Sequence, residues 1–357
     1  MSSLPPNITL ILPIRNEAAY VERCINAVFS QEYPGEIEIL VVDGISKDDT
    51  REIVQRLIDQ NPKFNIRLLD NPGKIVPTGM NIALRLAKGD VVIRVDGHCL
   101  IEPDYVKKCV DNIKKEGVDG VGGPMETIGE TLISKSIAIG MSSPFGVGNS
   151  AFRTTSGKSM LVDTIPFPAY RRQIIERTGL YDEELTRNQD DEYNYRIREL
   201  GGKLLLADDV RSTYFSRSSL RHLWRQYYQY GYYKVRVLQK HPLQMRPRQF
   251  IPFVFVAVLI ASLLLAVSSF LFLHPSSFIF HLSSFVPLLY LLANLFASLY
   301  TAATRGWKYL PLLPLVFAIL HLSYGLGFLV GLLKFRRRWN DREGKVPRFD
   351  GSAHRAL

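Results

Sequence analysis

Two rhythms of apolar and polar positions alternate through the first two hundred residues. Ile8-Thr9-Leu10-Ile11-Leu12-Pro13 is an apolar run of strand length stopped by proline. Ala18, Val21, Ile25 and Val28 then recur at helical spacing across Glu17–Ser30, and Pro34-Gly35 turns the chain into a second strand, Ile37–Val42. Ile53, Val54, Leu57 and Ile58 mark the next helix, Ile66–Leu69 a third strand, Pro77–Ala87 another helix, and Val91–Val95 a β-branched strand. Strands alternating with helices of roughly 10–15 residues predict βαβ units and a doubly wound, mostly parallel α/β domain. Pro103–Lys115 continues as a helix, Gly120–Gly123 leads into a strand, and Asp163–Arg172 reads as a strand followed by a helix start. Glu130–Met160 has weak periodicity, and within it Ser142–Asn149 reads as a mobile loop over a cleft. A last helix is predicted from Arg187 through Gln189-Asp190-Asp191-Glu192 to about Leu200, ending at Gly201-Gly202.

Beyond residue 216 the pattern changes. Ser218–Lys240 interleaves Arg221, Arg225, Lys234, Arg236 and Lys240 with Trp224 and five tyrosines, as a helix at the headgroup level requires. A single-stranded nucleic-acid platform has similar chemistry. The segment runs directly, however, into Phe250–Leu273, which carries no charge, and two more apolar runs follow near Phe278–Ala303 and Leu310–Leu333. Each can cross a bilayer, which takes about 20 residues. Membrane lipids, not nucleic acid, are therefore the expected surface partner.

Charge sharpens this division. Residues 1–209 hold 25 Lys+Arg against 31 Asp+Glu, a net of −6, whereas residues 210–357 hold 19 against 3, a net of +16. The basic excess thus surrounds the apolar runs. Cys24, Cys99 and Cys109 form no CxxC pair, which indicates neither a zinc knuckle nor a disulfide framework and fits a reducing compartment. Met1–Asn7 has neither a charged n-region nor a long apolar h-region, so no signal peptide is expected there.

The expected organisation is an α/β domain over 1–216, basic and aromatic interfacial helices over 217–249, a membrane region over 250–334 and a basic tail over 335–357. Placing the basic segment before Phe250 and the tail Lys334-Phe335-Arg336-Arg337-Arg338 both in the cytoplasm requires an even number of crossings. Two spans with a re-entrant or interfacial third run satisfy this, and a three-span layout with an exposed basic tail is the alternative. The expected location is the cell (inner) membrane, multi-pass, with the α/β domain cytoplasmic.

Candidate chemistry gathers where the strands end. Asp43, Asp96 and His98 fall at or just beyond predicted carboxyl ends of strands, and Asp190 falls at a helix start facing the same crevice. One such acid is routinely a helix cap. Three with a histidine are better explained as a site, and Asp96 with His98 can share one metal ion.

Leu12-Pro13-Ile14-Arg15-Asn16-Glu17, the run Val41–Thr50, the Gly89-Asp90 turn with Arg94-Val95-Asp96-Gly97-His98, and Gln189-Asp190-Asp191-Glu192 ending at Arg196 stand in the order seen in family 2 glycosyltransferases. Over about residues 8–240 the chain resembles that family, with its GT-A fold, and most of all the membrane-bound succinoglycan-type exopolysaccharide enzymes. The resemblance implies that Pro13, Arg15 and Glu17 line the nucleotide pocket, that Asp43 accepts a hydrogen bond from uracil, and that Asp48 supports that loop. It implies that Asp96 faces ribose and diphosphate and that His98 replaces the family's second metal-binding Asp. A divalent cation follows, Mn²⁺ or Mg²⁺, with imidazole favouring Mn²⁺. Asp190 matches the catalytic base, and Gln189 stands where the family has a Glu. Arg225 falls where related enzymes bring a basic helix over the diphosphate, and Asn81 is a further donor contact. The implied reaction moves a hexose, glucose foremost, with inversion, from a UDP-sugar to a polyprenyl-diphosphate-linked saccharide. A polyprenyl-phosphate glycosyltransferase, a processive polysaccharide synthase (though Gln-x-x-Arg-Trp is not present as such) and a non-catalytic membrane scaffold are the alternatives.

Overall fold

The computed structural model describes residues 4–148, 150–154, 157–272 and 278–349. They fall into two units: residues 1–126, 151–215 and 343–357 in the first, residues 127–150 and 216–342 in the second.

The first unit opens with β1 (Ile8–Ile14), α1 (Val21–Phe29), β2 (Ile37–Asp43), α2 (Thr50–Gln60), β3 (Asn65–Asp70), α3 (Val76–Leu86) and β4 (Val91–Arg94). These elements match the two rhythms of the sequence. β1 is buried along its whole length, as a central parallel strand covered on both faces must be. Four strands pair in parallel in the order β3-β2-β1-β4, with Ile14 opposite Asp43 and Asp43 opposite Asp70. That register lines up three carboxyl ends along one edge.

β5 (Cys99–Ile101), α4 (Tyr105–Glu116), β6 (Gly120–Gly122) and β7 (Met125–Ile128) follow. In the second unit, α5 (Leu132–Met141) begins at a reciprocal cap between Thr131 and Ser134, and α6 (Pro144–Val147) comes next. Here the structure departs from the expected loop. Residues 142–148 include a short helix, and Asn149 lies outside the described residues. α5 escaped notice because its buried face mixes Ser134, Ser136 and Gly140 with Ile137 and Met141, which blurs the periodicity.

α7 (Ala151–Thr154), β8 (Met160–Leu161), β9 (Ala169–Arg171), α8 (Arg172–Thr178), α9 (Gln189–Glu199), β10 (Leu204–Leu206) and β11 (Ser212–Phe215) complete the first unit, apart from residues 343–349. The sheet extends to eight strands, β3-β2-β1-β4-β9-β6-β10-β8, with β9 antiparallel to both β4 and β6. The sheet is mostly parallel, as expected. Its core joins Ile11, Leu40, Val42, Met80 and Val92 to Tyr170, Tyr181, Tyr193 and Ile197, so α9 is anchored directly to the parallel strands. Cys24, Cys99 and Cys109 are free and buried.

The second unit continues with α10 (Leu220–Lys240), α11 (Ile251–Phe272), α12 (Phe278–Arg305) and α13 (Leu313–Lys334). The last three hold stretches long and apolar enough to cross a membrane. α10 is one helix packed along α13, and glycines make the approach possible. A Cβ on Gly231 would lie 2.0 Å from the Tyr324 carbonyl oxygen, and one on Gly327 2.0 Å from that of Tyr228. Headgroup-level cations were expected along α10. Instead Lys234, Arg236 and Lys240 are buried within the unit. Arg236 donates to Gln239 Oε1 at 2.6 Å and lies 3.4 Å from Asp341, the first acid in the chain after Asp209.

Candidate active site

The site is built where β1, β2 and β4 end. Gly97 allows the turn after β4 to approach β1: a Cβ there would meet Ile14 at 2.9 Å and Glu17 at 3.1 Å. That approach puts His98 Nδ1 2.8 Å from Glu17 Oε1, with the Tyr214 ring edge-on at 5.0 Å. Glu17, expected to line the nucleotide pocket, thus holds the imidazole.

Asp96 is clasped by its own strand. Arg94 Nε donates to Asp96 Oδ1 at 2.8 Å and its Nη2 to Oδ2 at 3.2 Å, a two-pronged pair in which the guanidinium is almost wholly buried. Burial pushes the Asp96 carboxyl up, but the charges of Arg94 and His98 outweigh it and hold Asp96 below the usual carboxylate range.

Asp190 stands in the first turn of α9, after Asn188 turns the chain at φ +61°. Its carboxyl accepts from the Asp191 amide at 2.9 Å. The side chain reaches solvent, but from a recess whose poor solvation pushes its carboxyl above the ordinary value, while Arg94 pulls it back down. One guanidinium therefore acts on both carboxylates. Arg94 went unassigned in the sequence, although an arginine inside a β-branched strand is the kind of signal that marks such a role. Arg196, six residues on, grips the buried Glu192 at 2.7 Å and the carbonyls of Thr178 and Leu180 at 2.7 and 2.8 Å, which fixes α9 in place.

The two loops after β1 and β2 are laced together. Asp43 is fully buried and accepts from Ser46 Oγ at 2.5 Å, Ser46 N at 3.0 Å and Arg51 at 2.9 Å. Asp48 accepts from Ala18 N and from Thr50 Oγ1, whose oxygen in turn receives the Glu17 amide. Backbone strain gathers here, with φ of +54° at both Asn16 and Ile45; for a β-branched residue that is an outlier. Pro13 lies in β1 opposite Val42, and Arg15 lies against Gly44 and reaches the Lys74 carbonyl at 3.2 Å.

Asn81 is a different case. It is fully buried, donates to the Tyr181 carbonyl and to Glu183, each at 2.9 Å, and accepts from Tyr181 N at 2.7 Å. Both ends of its amide are engaged in holding the 181–183 loop. Arg225 lies exposed on α10, in the second unit. Among the described residues no three His, Cys, Asp or Glu side chains converge on one point.

A mostly parallel sheet with acidic side chains at its strand ends sets the fold, and the relatives define its class. Residues 9–179 match Glycosyl transferase family 2, and the chain is a glycosyltransferase. It is 29% identical over 331 residues, 92% of this chain and 96% of the relative, to succinoglycan biosynthesis protein ExoA of Rhizobium meliloti. It is 27% identical over 92% of its length to a dolichyl N-acetyl-alpha-D-glucosaminyl phosphate 3-beta-D-2,3-diacetamido-2,3-dideoxy-beta-D-glucuronosyltransferase of Methanococcus voltae, covering 97% of that protein. In fold it is similar to mannosyltransferase PcManGT of Pyrobaculum calidifontis in complex with GDP-Man and Mn²⁺, with TM-score 0.56, 18% identity, and coverage of 92% of this chain and 88% of that one. GalNAc-T7 with UDP, GalNAc and Mn²⁺ also shares the fold, with TM-score 0.51, 17% identity, and coverage of 67% of this chain and 48% of that one.

Proposed function

We propose that the protein transfers a hexose, glucose foremost, with inversion, from a UDP-sugar to a polyprenyl-diphosphate-linked saccharide at the cytoplasmic leaflet of the cell membrane. What supports this reading is that Arg94 clasps Asp96 with two hydrogen bonds at the end of β4 while its charge also acts on Asp190 at the start of α9, which leaves the two acids unlike. Asp96 is held ionised, as a group facing a cation and a diphosphate must be. The Asp190 carboxyl is pushed above its ordinary value, the direction that suits a general base.

The residues divide the work. Asp43, Ser46 and Arg51 form the floor that receives the base of the nucleotide, while Arg15 and the strained Ile45 turn shape its edge. Asp190 takes the proton from the acceptor hydroxyl as that oxygen bonds to C1, and the diphosphate leaves from the opposite face. Asp96 and His98 would hold the divalent cation, which supplies charge stabilisation to the departing diphosphate. What supports Mn²⁺ in this reading is the carboxylate on His98 Nδ1, the arrangement that orients a metal-ligating imidazole. The lipid linkage of the acceptor is supported by the apolar helices and by the dolichyl phosphate-linked substrate named for the Methanococcus relative, while the diphosphate comes from the resemblance to the exopolysaccharide enzymes.

A panel of UDP- and GDP-sugars, offered to membranes with lipid-diphosphate saccharides and Mn²⁺, tests the reading. Transfer from a UDP-hexose is expected. Turnover confined to GDP-sugars, or to lipid monophosphate acceptors, would overturn it.

A further inference from the structure

Three apolar helices suggest three crossings, but the chain on either side of them belongs to one folded body. Residues 151–215, which precede them, belong to the α/β unit, and so do the residues after Arg342. The Glu183 amide donates to the Lys345 carbonyl at 2.9 Å, the Lys345 amide donates to Asp182 at 2.9 Å, and Phe349 packs on the sheet core. A body that contains both flanks stands on one side of a bilayer. The number of complete crossings between them is therefore even.

The surroundings of α13 show which helix does not cross. α11 and α12 expose apolar side chains along their length, among them Leu264, Phe270 and Leu271 on one and Leu288, Leu291 and Phe296 on the other, whereas half of the apolar window of α13 is buried. α13 also meets α11 at the wrong level for a third span. Phe328 packs on Phe250 and Phe253, and Gly325 faces the Pro252 carbonyl and Val256. The middle of α13 thus lies against the first turns of α11, not against its middle about ten residues or ~15 Å further on.

α10 gives the third argument. It runs parallel to α13, with Tyr228 beside Gly327, Tyr232 beside Gly331 and Gln239 bonded to the Phe335 carbonyl at 2.8 Å. A membrane-spanning α13 would carry Gly231 of α10, which faces Tyr324 and Phe328, to the bilayer centre. Lys234 and Arg236 would follow, at about 3 kcal/mol each near the centre.

We propose that α13 does not cross the bilayer but lies with α10 along the leaflet that faces the catalytic unit, with the exposed Arg221, Trp224, Arg225, Lys334, Arg336 and Arg337 against lipid headgroups. The chain then crosses twice, through α11 and α12. Every Lys and Arg between residues 216 and 342 falls on the catalytic side in this layout, including Arg305, Lys308 and the Lys334–Arg338 run, and none falls in the 273–277 connection. Val330, Leu333, Lys334, Arg336 and Arg337 line an open recess of about 470 Å³ whose apolar floor and cationic rim suit an anionic headgroup. The proposal rests on the membrane reading, and its test does not depend on activity.

Because the three native cysteines are buried, single cysteines can report sidedness in sealed vesicles through a membrane-impermeant maleimide. Lys115→Cys marks the catalytic unit, Arg337→Cys and Glu343→Cys the segment after α13, and Ser276→Cys the connection between α11 and α12. Arg337→Cys and Glu343→Cys are expected to label from the side that labels Lys115→Cys, and Ser276→Cys from the other. Labelling of Arg337→Cys and Glu343→Cys from the side opposite Lys115→Cys would establish a third crossing and overturn the proposal. Labelling of Ser276→Cys from the side of Lys115→Cys would overturn the hairpin.

Discussion

Replacing Arg94 by methionine separates two effects that the guanidinium combines. The side chain is nearly buried and grips Asp96 by two hydrogen bonds, so its removal strands a mostly buried carboxylate. Breaking such a pair costs about 3 kcal/mol, and the melting midpoint of the α/β unit should fall by several degrees. The second effect is on Asp190. Its carboxyl is pushed up by poor solvation, pulled down by Arg94 and by the hydrogen bond from the Asp191 amide, and pushed up further by the charges of Asp191 and Asp96. Removing Arg94 takes away the larger of the two downward influences, so the folded-state pKa of Asp190 rises. An opposite charge at close range moves a pKa by about one unit or more. The base works ionised, so activity is lost as pH falls through that pKa. The acid limb of kcat/KM should therefore move up by about one pH unit, with roughly tenfold less turnover on the limb at a given pH. Arg94→Lys keeps the charge but not the two-pronged grip, and should lower stability while shifting the limb less. A profile of sugar transfer against pH, taken with a thermal melt of each variant, provides the assay. An unmoved acid limb in a folded Arg94→Met protein would refute the link between Arg94 and the base.

Glu17→Ala removes the carboxylate on His98 Nδ1, and the Mn²⁺ concentration for half-maximal activity should rise about 10- to 100-fold in a metal titration; an unchanged titration would separate Glu17 from the cation. Asn81→Ala deprives Tyr181 of partners at both its amide and its carbonyl and should cost about 3 kcal/mol in a denaturant melt. A normal melt with a raised KM for the sugar nucleotide would return Asn81 to the donor.

Much of the first unit was legible in its periodicity, because parallel strands buried on both faces read as unbroken apolar runs. Ile8–Pro13 and Ile37–Val42 fell within one residue of β1 and β2. The antiparallel β9 was foreshadowed only as an unspecified strand, since its three residues carry no pattern of their own and are held by β4 and β6. At the site, Asp43, Asp96, His98 and Asp190 were legible as polar residues at strand and helix ends. Which group serves which was not. Glu17 on His98, Arg94 between two acids and Asn81 on the 181–183 loop join residues between 80 and 102 positions apart, apart from the local Arg94–Asp96 pair, and only the packed sheet brings them together. The apolar helices were visible from composition. The burial of Lys234, Arg236 and Lys240 was not, because its cause is the glycine-lined approach of α13, a hundred residues away in the chain.

In the proposed reaction Asp190 is the group that takes the acceptor's proton. The direct measurement compares wild type with Asp190→Asn in full-length protein: binding of the UDP-sugar by calorimetry, and single-turnover transfer to the lipid-linked acceptor. Amide for carboxylate keeps the size and the place at the start of α9, so donor binding should persist while transfer falls at least about a hundredfold. Transfer at the wild-type rate by a folded, donor-binding Asp190→Asn protein would contradict the account.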